Sequence, residues 1–150
     1  MYELLKDAVQ RHLDETMPLI EQLKDVDIMS KPISESRVIG EVVLHIIRSL
    51  EYYMRGIVES FWEPLPYTIE KYDSSEEIIQ LARQVFKKVS EYMYFIRLMN
   101  LDETIDSFNR PATFAEIIFE MLEHSIHHRG QITVYYRLLG VKPNQIHYII

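Results

Sequence analysis

Residues 123–140 read EHSIHHRGQITVYYRLLG and place three histidines within five positions of a segment with helical periodicity. Each residue of an α-helix is rotated by about 100° from the one before, so residues four apart differ by only about 40°. His124 and His128 therefore share a direction, and His127 points about 100° away from it. The same direction is shared by Phe114, Ile117, Met121, Ile132, Tyr135 and Leu139. The pattern predicts two imidazoles stacked in the middle of the core-facing stripe of a long helix.

Two buried imidazoles on one stripe have two interpretations. In the first, both are core residues, and each needs a buried hydrogen-bond partner. In the second, the pair chelates a metal ion, for which two histidines one turn apart are well arranged. A third imidazole from another helix would favour the metal, and the candidates are His12, His45 and His147.

His45 is the most suitable third ligand. It lies in GEVVLHIIRSLEYYMRG, residues 40–56, on a half-polar stripe beside an apolar one, as expected for the wall of a site. That stripe contains Val38, Glu41, Ser49, Tyr52 and Gly56. His12 follows Arg11 and precedes two acidic residues, so we expect it to be solvated. The irregular tail around His147 supports no expectation.

Outside this segment the chain shows three more helical patterns. The sequence predicts an all-α four-helix bundle, with residues 1–150 as one domain and an extended tail from residue 141. Predicted helices cover about 2–26, with a kink or an end at Pro18; about 36–59, capped by Ser34 or Ser36; about 74–99, opened by Ser74 and Glu77; and 113–139, opened by Thr113 and Glu116 and stopped by Gly140.

Composition excludes several classes of protein. The formal net charge of −7 argues against a nucleic-acid surface, which needs clustered lysine and arginine. The absence of cysteine excludes thiolate metal sites and a cysteine nucleophile, and it is consistent with a reducing compartment. No stretch approaches the roughly 18 apolar residues of a membrane span. We therefore expect a cytoplasmic protein with no membrane or nucleic-acid partner.

The two histidine segments resemble those of the DinB/YfiT superfamily of metal-dependent four-helix bundles. In that family one ligand comes from the second helix, here within GEVVLHIIRSLEYY, and two from an H-x-x-x-H-R-G-Q element on the last long helix. The resemblance covers nearly the whole chain in helix order, and it implies up-down-down-up connectivity and the ligands His45, His124 and His128. A tryptophan often found before the second helix is missing from DIMSKPISES, residues 27–36, which concerns packing or pocket shape rather than the ligands.

Other metal motifs do not fit. His124 is followed by Ser125, so the H-E-x-x-H of zincin proteases is absent. Di-iron bundles need a glutamate three residues before each ligating histidine, and none of the three histidines has one. Three neutral imidazoles suit Zn, Ni, Fe or another first-row ion and leave at least one coordination position open, as in catalytic sites.

Three residues are candidates for catalytic roles beside the metal. Glu41, one turn before His45, is a candidate base, second-shell carboxylate or fourth ligand. Tyr52 shares the direction of His45, and Gln131 lies near that of His128. Three further residues receive structural interpretations: Arg129 as an ion-pair partner, Gly130 as a point of close helix approach, and Trp62 as a cover of the pocket or an anchor.

The resemblance also implies an activity, because several family members activate a low-molecular-weight thiol for transfer to an electrophile. The leading hypothesis is a metal-dependent thiol S-transferase-like enzyme with a small-molecule substrate. The alternatives are a metal-dependent hydrolase or isomerase, and a non-catalytic metal-binding stress-response module. An open coordination position beside a pocket indicates catalysis, whereas a closed fourth ligand indicates a structural site. We also expect a homodimer, because family members often dimerise and the tail segment QIHYII, residues 145–150, alternates apolar residues.

Overall fold

The computed structural model describes residues 1–106 and 110–148, which form four long helices. Their bounds are α1, Tyr2–Glu21; α2, Ile39–Glu59; α3, Ser75–Ile96; and α4, Phe114–Leu138. A 3-10 turn, Gln22–Asp25, extends α1. Two short antiparallel strands precede α4, and they were not predicted: β1, Thr104–Ile105, and β2, Ala112–Thr113. The predicted all-α four-helix bundle is confirmed, with this small hairpin as an addition.

Helices α1 and α2 do not pack mainly on each other; each packs on α3 and α4. Helix α1 runs antiparallel to α3, because the Tyr2 hydroxyl donates to the carbonyl of Met93 while Arg83 pairs with Glu21 at the opposite end. Helices α1 and α2, although consecutive in the sequence, therefore lie diagonally opposite each other in the bundle. Residues 26–38 connect them across the bundle.

The remaining directions follow from two more sets of contacts. Helices α2 and α3 are parallel, because Glu51 meets Lys88 and Glu59 meets Tyr92. Helices α1 and α4 are also parallel, because the α4 residues Arg129 and Tyr136 contact Glu15 and Leu19 of α1 in the same order. The four helices thus run up, down, down and up, and the predicted connectivity is confirmed.

Two helices begin at the predicted capping residues. The side chain of Ser74 accepts a hydrogen bond from the backbone N–H of Glu77 at the start of α3. Thr113 and Glu116 form a complete capping box at the start of α4, each side chain accepting from the other residue's backbone N–H. These bonds satisfy N–H groups that have no partner within the helix, so they fix where α3 and α4 begin.

Helix α2 begins differently from the prediction. Its first residue is Ile39, and the N-cap Val38 makes no side-chain capping bond. The proposed caps Ser34 and Ser36 are wrong. The backbone N–H of Ile39 instead donates to the carbonyl of Ser30, so the preceding connection supplies the acceptor that a capping side chain would otherwise provide.

Pro18 lies inside α1, which continues through it to Glu21. Proline removes one backbone donor, and the sequence predicts either a kink or an end of the helix at this residue. The helix does not end there. After α4 the chain turns at Gly140, whose φ of 83° is in the left-handed region that glycine tolerates. Residues 141–148 then return to α1 without regular secondary structure, and Asn144 donates from its side chain to the carbonyl of Pro18. Residues 149 and 150 of the predicted extended tail lie outside the described residues.

The core lies between the apolar faces of the four helices, and α2 supplies much of it. The largest fully buried side chains of the core are Tyr136, Leu19, Ile20, Leu23, Ile39, Leu44, Ile46, Ile47, Leu50, Met54, Ile57 and Ile78. Burial of this apolar surface holds the helices in place at roughly 25 cal/mol per Å². Among the described residues, no helix combines the length and apolarity needed to cross a bilayer.

Two helical glycines have opposite surroundings. A Cβ at Gly56 would overlap the ring of Trp62, which fills the notch that this glycine leaves on α2. A Cβ at Gly130 would meet no atom within 4 Å, so the expected close helix approach at Gly130 is wrong. Trp62 anchors the Pro-rich connection that follows α2 to Gly56.

Substitution of the two glycines by alanine should change stability in opposite directions. Gly56→Ala should lower the free energy of unfolding by about 1–3 kcal/mol, because the indole must be displaced. Gly130→Ala should raise it by about 0.5–1 kcal/mol, because alanine has the higher helix propensity and no neighbour obstructs it. Urea denaturation of chelator-treated protein measures both values. A Gly56→Ala variant as stable as Gly130→Ala would contradict the packing described for Trp62.

Candidate metal centre

Three histidines from two helices meet at one point. His45 lies in the middle of α2, and His124 and His128 occupy consecutive turns of α4. The ring centroids are 4.9 Å apart for His45 and His124 and 4.6 Å apart for each of the other two pairs. One ring nitrogen from each residue lies within 4.8 Å of the others. The structure brings together the three residues named from the sequence, in an arrangement that could hold a metal ion.

The spacing of the nitrogens fits a shared ion. Nε2 of His45 and Nε2 of His124 are 3.1 Å apart. Zinc–imidazole bonds of about 2.0–2.1 Å place two ligand nitrogens about 3.4 Å apart in a tetrahedron and about 2.9 Å apart at a right angle, so the observed value falls between them. Nδ1 of His124 is buried and has no hydrogen-bond partner among the described residues. This ring therefore lacks the full set of protein partners that a purely structural core histidine needs.

The imidazoles lie at the edge of the core rather than in the middle of it. All three are half-buried, whereas the α4 residues Met121 and Ile132 of the same stripe are fully buried. The predicted position in the middle of the core-facing stripe is therefore wrong. The stripe is buried at Met121 and at Ile132, but its turns between these residues, which carry the histidines, are only half-buried. At these turns α4 faces the connection that leads into α2, and a space separates α4 from this connection.

That space is an open cleft of about 570 Å³, a volume typical of small-molecule sites. His45 and His128 form part of its floor. Its opposite wall comes from the connection before α2, residues 32–37. The lining residues are Pro32, Ile33, Glu35, Ser36, Arg37, His45, His127, His128, Gln131, Tyr135 and Leu138. His45 and His128 are thus accessible to a small molecule from one side, and the ring of His124 contacts both of them.

Gln131 fixes the orientation of one histidine. Its Oε1 lies 2.8 Å from Nδ1 of His128, and its amide nitrogen donates to the hydroxyl of Tyr135 at 3.3 Å. Because Oε1 only accepts, His128 donates from Nδ1, and Nε2 is the ring nitrogen that could bind an ion. This is the usual outer-shell arrangement for a metal-binding histidine. Gln131 therefore contacts the candidate ligand itself.

Glu41 and Arg48 form an ion pair beside His45. A guanidinium nitrogen of Arg48 lies 2.6 Å from a carboxylate oxygen of Glu41, and both side chains are about one-quarter exposed. Another contact joins Arg48 to Nδ1 of His45 at 3.4 Å. Since arginine only donates, this contact favours a lone pair on Nδ1 and a proton on Nε2, which then donates to His124. Binding of an ion at Nε2 of His45 must displace that proton.

The environment favours neutral imidazoles. Burial, followed by the neighbouring imidazoles and the charges of Arg48 and Arg37, lowers the pKa of His45 to about 4. Burial also lowers the pKa of His124, with His128 and His127 adding to the effect. Neutral imidazole is the form that binds a metal, so the site holds two of its three histidines in that form at neutral pH.

A tyrosine that the sequence did not indicate lies beside the histidines. The ring of Tyr52 packs against Trp62 and Tyr53, at centroid distances of 5.5 and 5.6 Å. Tyr53 contacts His124 edge-on, with ring centroids 6.5 Å apart. Helical direction alone selected Tyr52, since Tyr53 is rotated by about 80° from His45. The contact depends on how α2 and α4 cross, which the periodicity of one helix does not encode.

His12 is buried, and the expectation that it is solvated is wrong. Its Nε2 lies 2.6 Å from Oγ of Ser125, and Arg129 approaches its Nδ1 at 3.3 Å. Arg129 also pairs with Glu15 at 2.7 Å, as the sequence predicted for an ion-pair partner. Helical direction would have identified this site, because His12 shares a stripe with Leu5 and other buried residues. Its charged sequence neighbours were misleading.

The contacts among His12, Glu15, Ser125 and Arg129 form a buried polar network, and two of its members adjoin the candidate metal ligands in the sequence. Ser125 and Arg129 directly follow His124 and His128 on α4. Each step along a helix turns by about 100°, so α4 presents one polar pair to α2 and the other to α1. Burial, followed by the charge of Arg129, lowers the pKa of His12 to about 3.

The sequence of this chain matches that of a known protein family. The model of the DinB family matches residues 1–150. The chain belongs to the DinB family. Its two histidine segments and their H-x-x-x-H-R-G-Q element are thus part of a DinB sequence, as the resemblance indicated.

A protein of known structure that is similar to this chain has the same fold. YjoA, an uncharacterized protein of Bacillus subtilis (strain 168), is 26% identical over 132 residues, which cover 86% of this chain and 84% of YjoA. The crystal structure of this DinB-like protein superimposes with a TM-score of 0.76 at 22% identity, covering 98% of this chain and 99% of the other. At that identity the structural match supports the bundle and its connectivity.

The buried His12 should make stability depend on pH. Its pKa is lowered in the folded state, so between about pH 6.5 and pH 3 the unfolded chain binds a proton that the folded chain does not. Stability is lost as pH falls through this range. His12→Gln should reduce the slope of unfolding free energy against pH by about one proton, or about 1.4 kcal/mol per pH unit, in chelator-treated protein.

A buried variant without a titratable group provides the control. Leu13→Ala removes volume from the same helix and should lower the free energy of unfolding at every pH without changing the slope. Urea titrations at several pH values between 4 and 8 measure both slopes. An unchanged slope in His12→Gln would mean that His12 is charged in the folded protein.

Proposed function

We propose that His45, His124 and His128 hold one divalent ion, Zn, Ni or Fe, and that the protein is a metal-dependent thiol S-transferase-like enzyme. The observation that carries this proposal is the meeting of three imidazoles, two of which line an open cleft. The donor set suits a first-row ion, and three protein ligands leave a coordination position for a small molecule.

The ion pair of Glu41 supports a catalytic site over a structural one. A structural zinc site is closed by a fourth protein ligand, and Glu41 was the candidate. Its carboxylate is instead engaged by Arg48 at 2.6 Å. A non-catalytic metal-binding module would leave the cleft beside the histidines without a role. We therefore assign Glu41 to holding Arg48 rather than to closing the site.

When bound, a divalent ion on three neutral ligands would keep its full charge and would favour the thiolate form of a bound thiol. The residues of the chain position the reactants. Gln131 holds His128 in the tautomer that leaves Nε2 free. The cleft excludes part of the solvent and accommodates both a thiol and an electrophile. Tyr53 borders His124, and Tyr52 supports it through ring contact.

The proposal is tested first by metal content. Protein loaded with Zn or Ni should bind about one ion per chain at neutral pH, and His45→Ala, His124→Ala and His128→Ala should each lose most of it, since two imidazoles hold such ions far more weakly than three. His127→Ala is the matched control, because this exposed histidine lies beside His128 and should be dispensable. Equal loss of metal in His127→Ala would contradict the ligand set.

The same preparations test the activity. Metal-loaded protein should accelerate conjugation of a low-molecular-weight thiol to a chromogenic aryl halide, and the three alanine variants should not. Gln131→Ala should retain metal but bind it about tenfold to a hundredfold more weakly, as outer-shell variants do. Full metal occupancy with no conjugation across a panel of thiols would contradict the transferase and favour the non-catalytic module.

We also propose a homodimer. The adjoining helices α1 and α4 expose large apolar side chains on their outer faces, among them Leu4 at 70%, Phe119 at 57% and Ile126 at 45%. Exposed apolar patches of this kind mark association surfaces. Sedimentation velocity at tens of micromolar should give a dimer, and Phe119→Asp should shift it to monomer. A monomer for the unsubstituted chain at that concentration, about the Kd of a weak dimer, would contradict this.

A further inference from the structure

Arg37 is an exposed cation in the cleft beside the three histidines. It comes from the connection before α2 and lines the cleft together with His45 and His128. Other arginines near the centre are engaged: Arg48 pairs with Glu41 at 2.6 Å and Arg129 with Glu15 at 2.7 Å. Among the described residues, Arg37 makes neither a hydrogen bond nor a salt bridge.

The charges around the cleft make the guanidinium of Arg37 an attractive point for an anion in an otherwise acidic protein. The chain carries a formal net charge of −7, so it repels anions in general. Glu41, one turn before His45 and outside the cleft lining, is neutralised by its pairing with Arg48. Glu35 is the acidic residue of the lining, and it balances one positive charge at most. With a divalent ion on three neutral imidazoles, the cleft becomes positive at two separate points, the ion and Arg37.

We propose that the small molecule that binds at the three histidines carries a carboxylate and that Arg37 binds this carboxylate. The inference rests on the proposed function and names the substrate class for it: a low-molecular-weight thiol with a carboxylate at its other end. The planar guanidinium matches a carboxylate through two parallel hydrogen bonds. A cleft of about 570 Å³ accommodates such a molecule between the two points.

A carboxylate fits better than a phosphate. A phosphate monoester carries about −1.5 to −2 charges at neutral pH and offers three acceptor oxygens. The cleft provides one unpaired guanidinium, with Glu35 on the same segment. That charge balance suits a single negative charge. Arg37 is therefore a specificity-determining residue, and it binds a part of the substrate that does not react.

The test uses cobalt-loaded protein, in which thiolate coordination produces an absorption band. The probes are mercaptocarboxylates of increasing chain length, each compared with its neutral carboxamide. At the preferred length the unsubstituted protein should bind the carboxylate more tightly than the carboxamide. Arg37→Gln should weaken binding of the carboxylate by about fivefold, as expected for a partly exposed charge pair, and leave the carboxamide unchanged.

Two further variants make the result specific. Arg37→Lys keeps the charge without the planar fork and should lie between the other two proteins. Arg97→Gln removes the same charge from the exposed end of α3, outside the cleft lining, and should change neither affinity. If Arg97→Gln weakened binding of the carboxylate as much as Arg37→Gln, the loss would be explained by the change in net charge alone. That outcome would overturn the inference.

The failures of the inference and of the proposed function are distinguishable. If cobalt binds and thiols produce the band, but carboxylate and carboxamide bind equally and Arg37→Gln changes neither, the inference is overturned and the metal centre stands. If the protein takes up no cobalt, or takes it up without any thiolate band, the proposed function fails and the inference falls with it.

Discussion

The rotation of α4 about its own axis is the constraint on which the candidate site depends. On one side of this helix, Arg129 forms a buried ion pair with Glu15 and approaches His12, which also contacts Ser125. A buried charge without its partner costs several kcal/mol, so α4 is held with these residues towards α1. His124 and His128 precede them by one residue each, and about 100° of rotation then turns both imidazoles towards α2. The network on one face thus places the ligands on the other.

The position of α2 is determined by the core and by its connections. Its apolar face is buried across the bundle, and Trp62 occupies the notch at Gly56. Buried Glu51 accepts from Tyr67 at 2.7 Å and from Lys88 at 2.9 Å, which ties the Pro-rich connection and α3 to the same helix. His45 therefore reaches the α4 histidines from a well-held helix. The hydrogen bonds of the other wall of the cleft, residues 32–37, are instead local to that connection, such as those from Lys31 to Ser34 and from Ser36 to Ile33.

Helical periodicity was sufficient for the features that lie on one helix. It predicted the four helices, the caps Ser74 and Thr113, and the stacking of His124 on His128, because each depends on residues a few positions apart. It was insufficient where two elements meet. Tyr53 rather than Tyr52 borders His124 because of the crossing of α2 and α4. The partner of Glu41, the exposure of Gly130 and the cleft beside Arg37 likewise depend on tertiary packing. His12 differs from these cases, because its direction on α1 indicates burial whereas its charged neighbours in the sequence indicate exposure.

We propose that metal binding by the three histidines is coupled to the stability of this bundle. Protons compete with the ion for imidazoles that titrate near pH 6.5 when free, and burial lowers the pKa of His45 to about 4. Melting temperature measured against pH, for zinc-loaded and for chelator-treated protein, tests this directly. The loaded protein should melt at the higher temperature near pH 8, and the two curves should converge as pH falls from about 6 towards 4, where His45 takes up its proton and the ion is released. Curves that coincide from pH 5 to pH 8 would contradict the claim and leave the three histidines as ordinary residues at the edge of the core.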